Sequence, residues 1–438
     1  MHRIAVVGSG VGGLSAAWQL SALPRCHVTL FEAGRHFGGH ANTVDLTLDG
    51  VTHGVDTGFL VFNHRTYPML TRLFAQIGVE TAASDMSFSV QVPGGPGRAA
   101  LEWSGSSLAT VFAQKRNLLS PGFWGMLADI VRFNKLCTDI ALRQAEGELH
   151  QPIGDFLDAQ GFGPRFRDHY FLPMLGCIWS CPTEQMLRFP VATMIRFCHN
   201  HGLIQVNDRP QWHTVTGGSR QYVRKLLQGI SEARLACPVS RVQRLPGGVR
   251  IQSARGEEHF DAVVMACHSD QALALLGDDA TWAEREVLGA IRYQMNTAVL
   301  HTDTSVLPQR QAAWAAWNYE RAADDRAEQA RVCLHYLINR LQPLPWQRPV
   351  VVSLNPSRPV AEAQVHQRFE YAHPVFDLSA IEAQKRVPEL QGQRRTWFAG
   401  AWCGYGFHED GWRAGTEAAQ ELAQARDTWP TLAMQGVA

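Results

Sequence analysis

The sequence holds 438 residues, 45% of them hydrophobic, with 40 basic and 40 acidic side chains and a formal charge of zero. That length suggests two lobes with sizeable cores, and balanced charge with no Lys/Arg cluster among aromatics argues against nucleic acid as a partner. No apolar run reaches the roughly 18 residues of a membrane span; the first strand begins almost at Met1, and nine scattered cysteines read as free thiols in a cytoplasmic protein with no metal site.

The opening stretch predicts a strand, a turn, a helix and a second strand. Ile4–Val7 is short and apolar, and Gly8, Gly10 and Gly13 form G-x-G-x-x-G at the mouth of a helix from Leu14 to about Leu23. His27–Phe31 follows, with Glu32 at its end, 24 residues after Gly8. In such a unit the first glycine turns the chain, the second admits a diphosphate, the third packs helix on strand, and the acid meets ribose hydroxyls. The helix start offers its free N–H groups to phosphate. Gly38-Gly39 lengthens the bare backbone; the E-x5-G-G spacing from Glu32 resembles that of flavoproteins, a resemblance that implies FAD rather than NAD.

Thr43–Leu48 and Val51–Val55 predict a hairpin about Asp49-Gly50. In the following Asp56–Asn63, Gly58 permits a close backbone approach, and Phe59 with Leu60 offers an apolar wall. Tyr67–Gly78 has helical spacing, with Leu70, Leu73, Phe74 and Ile77 on one stripe; Met86–Val92 and Ala99–Trp103 read as a hairpin about Pro93–Gly97 that opens a second lobe. Leu118 to about Arg143 is helical, and its Phe123, Trp124, Met126, Ile130 and Phe133 fit a core face. Flanking Lys115, Arg116, Arg132 and Lys135 also fit a helix lying on a membrane surface, which would put the protein at the inner face of the membrane.

Ile153–Leu157, Phe166–Leu175 and Val191–His199 continue as helices. Gly161-Phe162-Gly163 has no leading strand and is followed by Pro164, so no second dinucleotide turn is expected, and reoxidation falls to oxygen, a quinone or a protein. Trp212–Val223 leads into a helix through Leu227, Ala236–Val242 reads as a strand, Gly247-Gly248 turns a hairpin, and Phe260–Cys267 is a buried strand containing Ala266. Asn296–Thr302, Val332–Ile338, Val350–Leu354 and Arg368–His373 predict an antiparallel sheet under the substrate cavity. Thr396–Ala399 is a last strand, Gly400 turns it, and Gly411–Leu422 is the final helix.

Glu32-Ala33 through Gly38-Gly39, Trp397–Gly400 and Gly406–Gly411 together resemble the flavin-containing amine oxidase and phytoene desaturase superfamily. Within it the chain is similar to bacterial FAD-dependent amine-oxidase-like proteins that resemble the N-terminal part of plant cyclopropane fatty acid synthases. The resemblance implies an α/β fold, a Rossmann-like FAD-binding domain on a parallel sheet with an inserted α+β substrate domain on an antiparallel sheet. Residues 1–58, 213–290 and 391–438 would bind FAD, and 59–212 and 291–390 would form the substrate domain. It places FAD against Gly8, Gly10, Val11, Gly13, Glu32, Ala33, Gly38, Gly39, His40, Thr57, Gly58, Phe59, Leu60, Val239, Ala266, Gly400, Phe407, His408, Glu409 and Gly411. Val239 would hold the adenine by its backbone, and His40 stands where relatives carry arginine. His408 and Glu409 would straddle the pyrimidine edge of the flavin, with Tyr405 and Phe407 as aromatic walls.

A cavity with Phe62, Trp103, Trp212 and Tyr405 added to those walls fits hydride removal from a hydrophobic small molecule or lipid, specifically an unsaturated or modified fatty acyl chain. His408 is the catalytic candidate, because imidazole changes charge near neutrality. Amine oxidation is an alternative, although Met295–Val299 lacks the lysine that amine-oxidising relatives often carry there. A redox-neutral double-bond isomerase and a structural flavoprotein partner of a lipid methyltransferase are two more.

Overall fold

Ile4, Ala5, Val6, Val28, Leu30, Val263 and Val264 are fully buried, the mark of strands covered on both faces. They belong to a five-stranded parallel sheet in the order Glu232–Arg234, Cys26–Phe31, His2–Val7, Ala262–Met265 and Thr396–Phe398. The computed structural model describes all residues except 95–99, 145–148, 150, 180–182, 206–208, 323–330, 428 and 430–438.

The strand expected at Ala236–Val242 runs instead over Val239–Leu245, and a separate, unanticipated strand precedes it. Glu232–Arg234 joins the parallel sheet, whereas Val239–Leu245 pairs antiparallel with Gly248–Ser253, which pairs with Gly256–Phe260. Ala236, at φ +48°, and Pro238, which has no N–H for a ladder, break the run between them.

The second large sheet has seven strands, in the order Val365–Val375, Arg292–His301, Val351–Leu354, Cys333–Leu337, Trp317–Glu320, Phe88–Val92 and Leu101–Ser104. Its pairings are antiparallel except that of Trp317–Glu320 with Phe88–Val92. The four late strands are thus neighbours, as their patterns predict. Trp317–Glu320 supplies an unanticipated link to the early hairpin, whose turn falls partly on residues 95–99, outside the described residues.

The helix Pro121–Leu142 starts three residues later than its apolar pattern, because Ser120 caps it and Pro121 fills the first helical position. Phe123, Met126, Phe133 and Cys137 face the core, while Trp124 and Val131 face out. No helix among the described residues is long and apolar enough to cross a membrane.

Both ends of the chain meet at the first sheet. The opening helix Val11–Ser21 crosses the closing helix His408–Arg426 so tightly that a Cβ on Gly415 would lie 2.1 Å from the Gly12 carbonyl oxygen. The Ser15 hydroxyl donates to the Trp412 carbonyl at 2.9 Å across that crossing. The closing helix begins at His408 rather than Gly411: the Asp410 carboxylate accepts the N–H groups of Tyr405 and Phe407 at 3.0 and 3.1 Å and caps it early.

Candidate active site

A cavity of about 950 Å³ is walled by both sheets, large for a single small ligand. Its first end is the glycine turn. Gly8 holds φ +103°, and a Cβ there would meet the Ala266 carbonyl oxygen at 2.7 Å, so only glycine makes this turn. A Cβ on Gly10 would meet nothing within 4 Å, since the cavity begins there. No side chain caps the opening helix, which leaves its first N–H groups open to an anion. Glu32 lines the same end and accepts the N–H groups of Ser9 and Gly34 at 3.0 and 2.7 Å.

Imidazoles form the middle of the wall. His40 stacks on Tyr371 at 5.0 Å and lies 5.2 Å from His373, whose Nδ1 bonds the Asn296 amide at 2.8 Å. Burial holds His40 well below the usual histidine range, brings His373 to about 4 and also lowers His268. His408 stacks face to face on Phe59 at 3.6 Å, and burial lowers it to about 3. This favours the neutral imidazole at physiological pH, against the charge switch on which its acid/base candidacy rests. The Nε2 atoms of His40 and His408 are buried without a hydrogen-bond partner on this wall. Open N–H groups, a glycine cradle that a side chain would fill and two orphaned imidazole nitrogens all fit a large polar cofactor beside an aromatic ring.

The other end is apolar, with Met86, Phe88, Met174, Ile178, Leu203 and Trp212 in its wall. Phe197 and Phe407 lie stacked there at 4.9 Å.

Of the residues anticipated for FAD, the cavity wall contains Gly8, Gly10, Val11, Glu32, Ala33, Gly38, Gly39, His40, Gly58, Phe59, Leu60, Val239, Ala266, Gly400, Phe407 and His408. Four others lie off it. Gly13 and Gly411 serve packing: a Cβ would come within 1.9 Å of the Gly8 carbonyl oxygen and 2.6 Å of Val11 respectively. Thr57 is buried behind the wall, its hydroxyl 2.7 Å from that of Tyr371. Glu409 turns away from the cavity and accepts the Met69 and Leu70 N–H groups.

Of the substrate-pocket set, Trp212 lines the cavity and three residues stand one layer back. Phe62 is enclosed by Phe74 and Tyr67, Trp103 packs behind Phe88, and Tyr405 packs against Phe197. Tyr371, His373, Phe197 and His201 were not anticipated. Their signal is periodicity: Tyr371 and His373 share one face of a strand, and Phe197 and His201 are one helical turn apart.

The sequence profile of the flavin containing amine oxidoreductase family matches residues 11–335. A double mutant of putrescine oxidase, made in a structure-based redesign of cofactor binding, superposes with a TM-score of 0.68 at 13% identity, over 97% of this chain and 99% of that one. The CLA-producing fatty acid isomerase from P. acnes gives 0.65 at 15% identity, over 96% and 98%. Cyclohexylamine oxidase from Brevibacterium oxydans gives 0.64 at 14%, over 97% and 99%. No curated protein sequence matches. At these identities the superpositions establish the fold, while the profile covers most of the chain. The protein belongs to the flavin containing amine oxidoreductase family and is an FAD-dependent oxidoreductase.

Proposed function

We propose that the enzyme removes a hydride from a hydrophobic substrate, an unsaturated or modified fatty acyl chain, seated in the apolar end of the cavity. The observation that carries this reading is the wall of Met86, Phe88, Met174, Ile178, Leu203 and Trp212. FAD supplies the hydride acceptor when bound. The chain's residues bind the apolar chain, orient it and exclude water. Among the lining residues the carboxylates are Glu32, engaged by Ser9 and Gly34, and Glu370, exposed on an edge strand and bonded to the Thr297 hydroxyl. With no carboxylate at the apolar end, the C–H bond has to be weakened by the substrate itself, as an adjacent double bond does.

Amine oxidation is the second reading, favoured by the stacked walls Phe59–His408 and Phe197–Phe407. Anaerobic mixing of the FAD-loaded enzyme with unsaturated acyl lipids and with aliphatic amines separates the two. Bleaching of the flavin by lipids alone is expected; bleaching by amines alone overturns the acyl reading. A shifted double bond without bleaching assigns isomerisation instead.

A membrane source for this substrate is supported by Leu108, Leu119 and Trp124, exposed by 80%, 88% and 49%. They lie in a stretch with no carboxylate between Glu102 and Asp129, beside the exposed Lys115 and Arg116. Flotation with anionic liposomes that falls on Leu119→Ser and Trp124→Ser is the expected result, and equal flotation of wild type and variants removes the reading.

A further inference from the structure

His201 follows the last residue of the helix Val191–Asn200 and lines the apolar end of the cavity. Its Nδ1 lies 3.0 Å from the Phe197 carbonyl oxygen. A carbonyl only accepts, so the proton sits on Nδ1 and Nε2 keeps a lone pair. No group among the described residues bonds Nε2. The ring is held from several sides: stacked on Phe197 at 3.9 Å and 24°, nearly parallel to Trp212 at 6.2 Å, tilted to Phe407 at 5.7 Å, and edge-on to Tyr67 at 6.3 Å. Burial, aided by the nearby Arg65 guanidinium and opposed by the Phe197 bond, lowers His201 to about 4, so the imidazole is uncharged at neutral pH.

We propose that His201 Nε2 accepts a hydrogen bond from the substrate, so that the cavity selects an apolar chain bearing a hydroxyl group. The proposal rests on the reading of the cavity as an apolar substrate site and narrows its chemistry. A carboxylate has no hydrogen to give and meets the lone pair repulsively. A bare hydrocarbon leaves Nε2 stripped of water without a replacement partner. An O–H donor satisfies it while the chain fills the space beside Met174 and Leu203. The Nδ1 bond alone would make His201 a helix cap, a common use of histidine at a helix end. That role leaves Nε2 idle, which is where the two roles part.

The test titrates the FAD-loaded protein with 1-decanol, methyl decyl ether and decanoate, reading the perturbation of the flavin spectrum. The alcohol and the ether share one chain and differ in the donor. In the wild type the alcohol should bind about tenfold more tightly than the ether, the worth of one hydrogen bond, and decanoate no more tightly than the ether. His201→Phe keeps an aromatic ring and should bind alcohol and ether alike, at the wild-type ether affinity. His201→Gln, with an amide oxygen as acceptor, should restore part of the preference for alcohol. Equal wild-type affinities for alcohol and ether, a preference that survives in His201→Phe, or tightest binding of decanoate would overturn the proposal. If neither alcohol nor ether perturbs the flavin, the apolar-site reading fails and takes this one with it.

Discussion

The Glu409 carboxylate accepts the Met69 and Leu70 N–H groups at 2.8 and 3.0 Å, and so caps the helix Pro68–Ile77, whose own N-cap residue Tyr67 supplies no side-chain bond. Burial raises its pKa, partly offset by those two donors. Glu409→Ala should cost about 1–2 kcal/mol, the usual worth of an N-cap, and Glu409→Gln less. Urea unfolding monitored by circular dichroism measures the loss, and the ratio of FAD to protein should stay at the wild-type value. If Glu409→Ala loses FAD at unchanged stability, the carboxylate serves the cofactor after all. His408 and Glu409 are adjacent in sequence but about 100° apart around a helix. One lines the cavity and the other turns to a neighbouring helix. The motif could not divide them, because that division depends on where Pro68–Ile77 packs.

The crossing of the first and last helices joins the two halves of the cofactor site. Gly12, Ser15, Gly411 and Gly415 let the backbones touch, and a Cβ on Gly415 would lie 2.1 Å from the Gly12 carbonyl oxygen. Gly415→Val should separate the helices at a cost of about 1–3 kcal/mol or more, with a matching fall in FAD affinity. Flavin fluorescence during reconstitution of the variant reads both effects, and wild-type uptake would show that the crossing does not shape the site. The elements that were legible in the sequence are those whose burial leaves a pattern: His2–Val7, Cys26–Phe31 and Ala262–Met265 as apolar runs, and Pro68–Ile77 as a stripe. Glu232–Arg234 and Trp317–Glu320 were not. Each is short and partly polar, and each is a strand only because a partner from a distant stretch lies beside it.

Across the molecule, the seven-stranded sheet is fastened on the face away from the cavity. Trp317 and Tyr336 point into the cavity, whereas Glu320 and His335 point the other way. His335 Nε2 lies 3.1 Å from Glu320, its Nδ1 2.7 Å from the Ser353 hydroxyl, and that hydroxyl 2.7 Å from His301 Nε2, so one polar chain spans four strands. Glu320 also accepts from Gln91, Ser357 and Arg358, which leaves its carboxylate saturated rather than free for a metal ion beside Cys333. Burial alone would raise Glu320, but the His335 and Arg358 bonds outweigh it and bring it to about 2. Because the folded pKa is depressed, the stabilisation is complete above the unfolded value of about 4.5 and disappears as pH falls toward 2. Stability of the wild type should fall over that window, and Glu320→Gln should flatten the fall while costing about 1.5–3 kcal/mol at neutral pH, the usual worth of hydrogen bonds to a charged group. Thermal unfolding at a series of pH values checks both.

The central claim is that the glycine turn, completed by both ends of the chain, holds FAD. Gly10 offers the most direct test, since its φ of −58° suits any residue and a side chain there would project into the cavity rather than into protein. Measure bound flavin and circular dichroism for wild type and Gly10→Val purified in parallel. One FAD per chain in the wild type, and a folded but colourless Gly10→Val that does not take up added FAD, is the predicted result. A wild type that binds no FAD, or a Gly10→Val protein as yellow as the wild type, would contradict it.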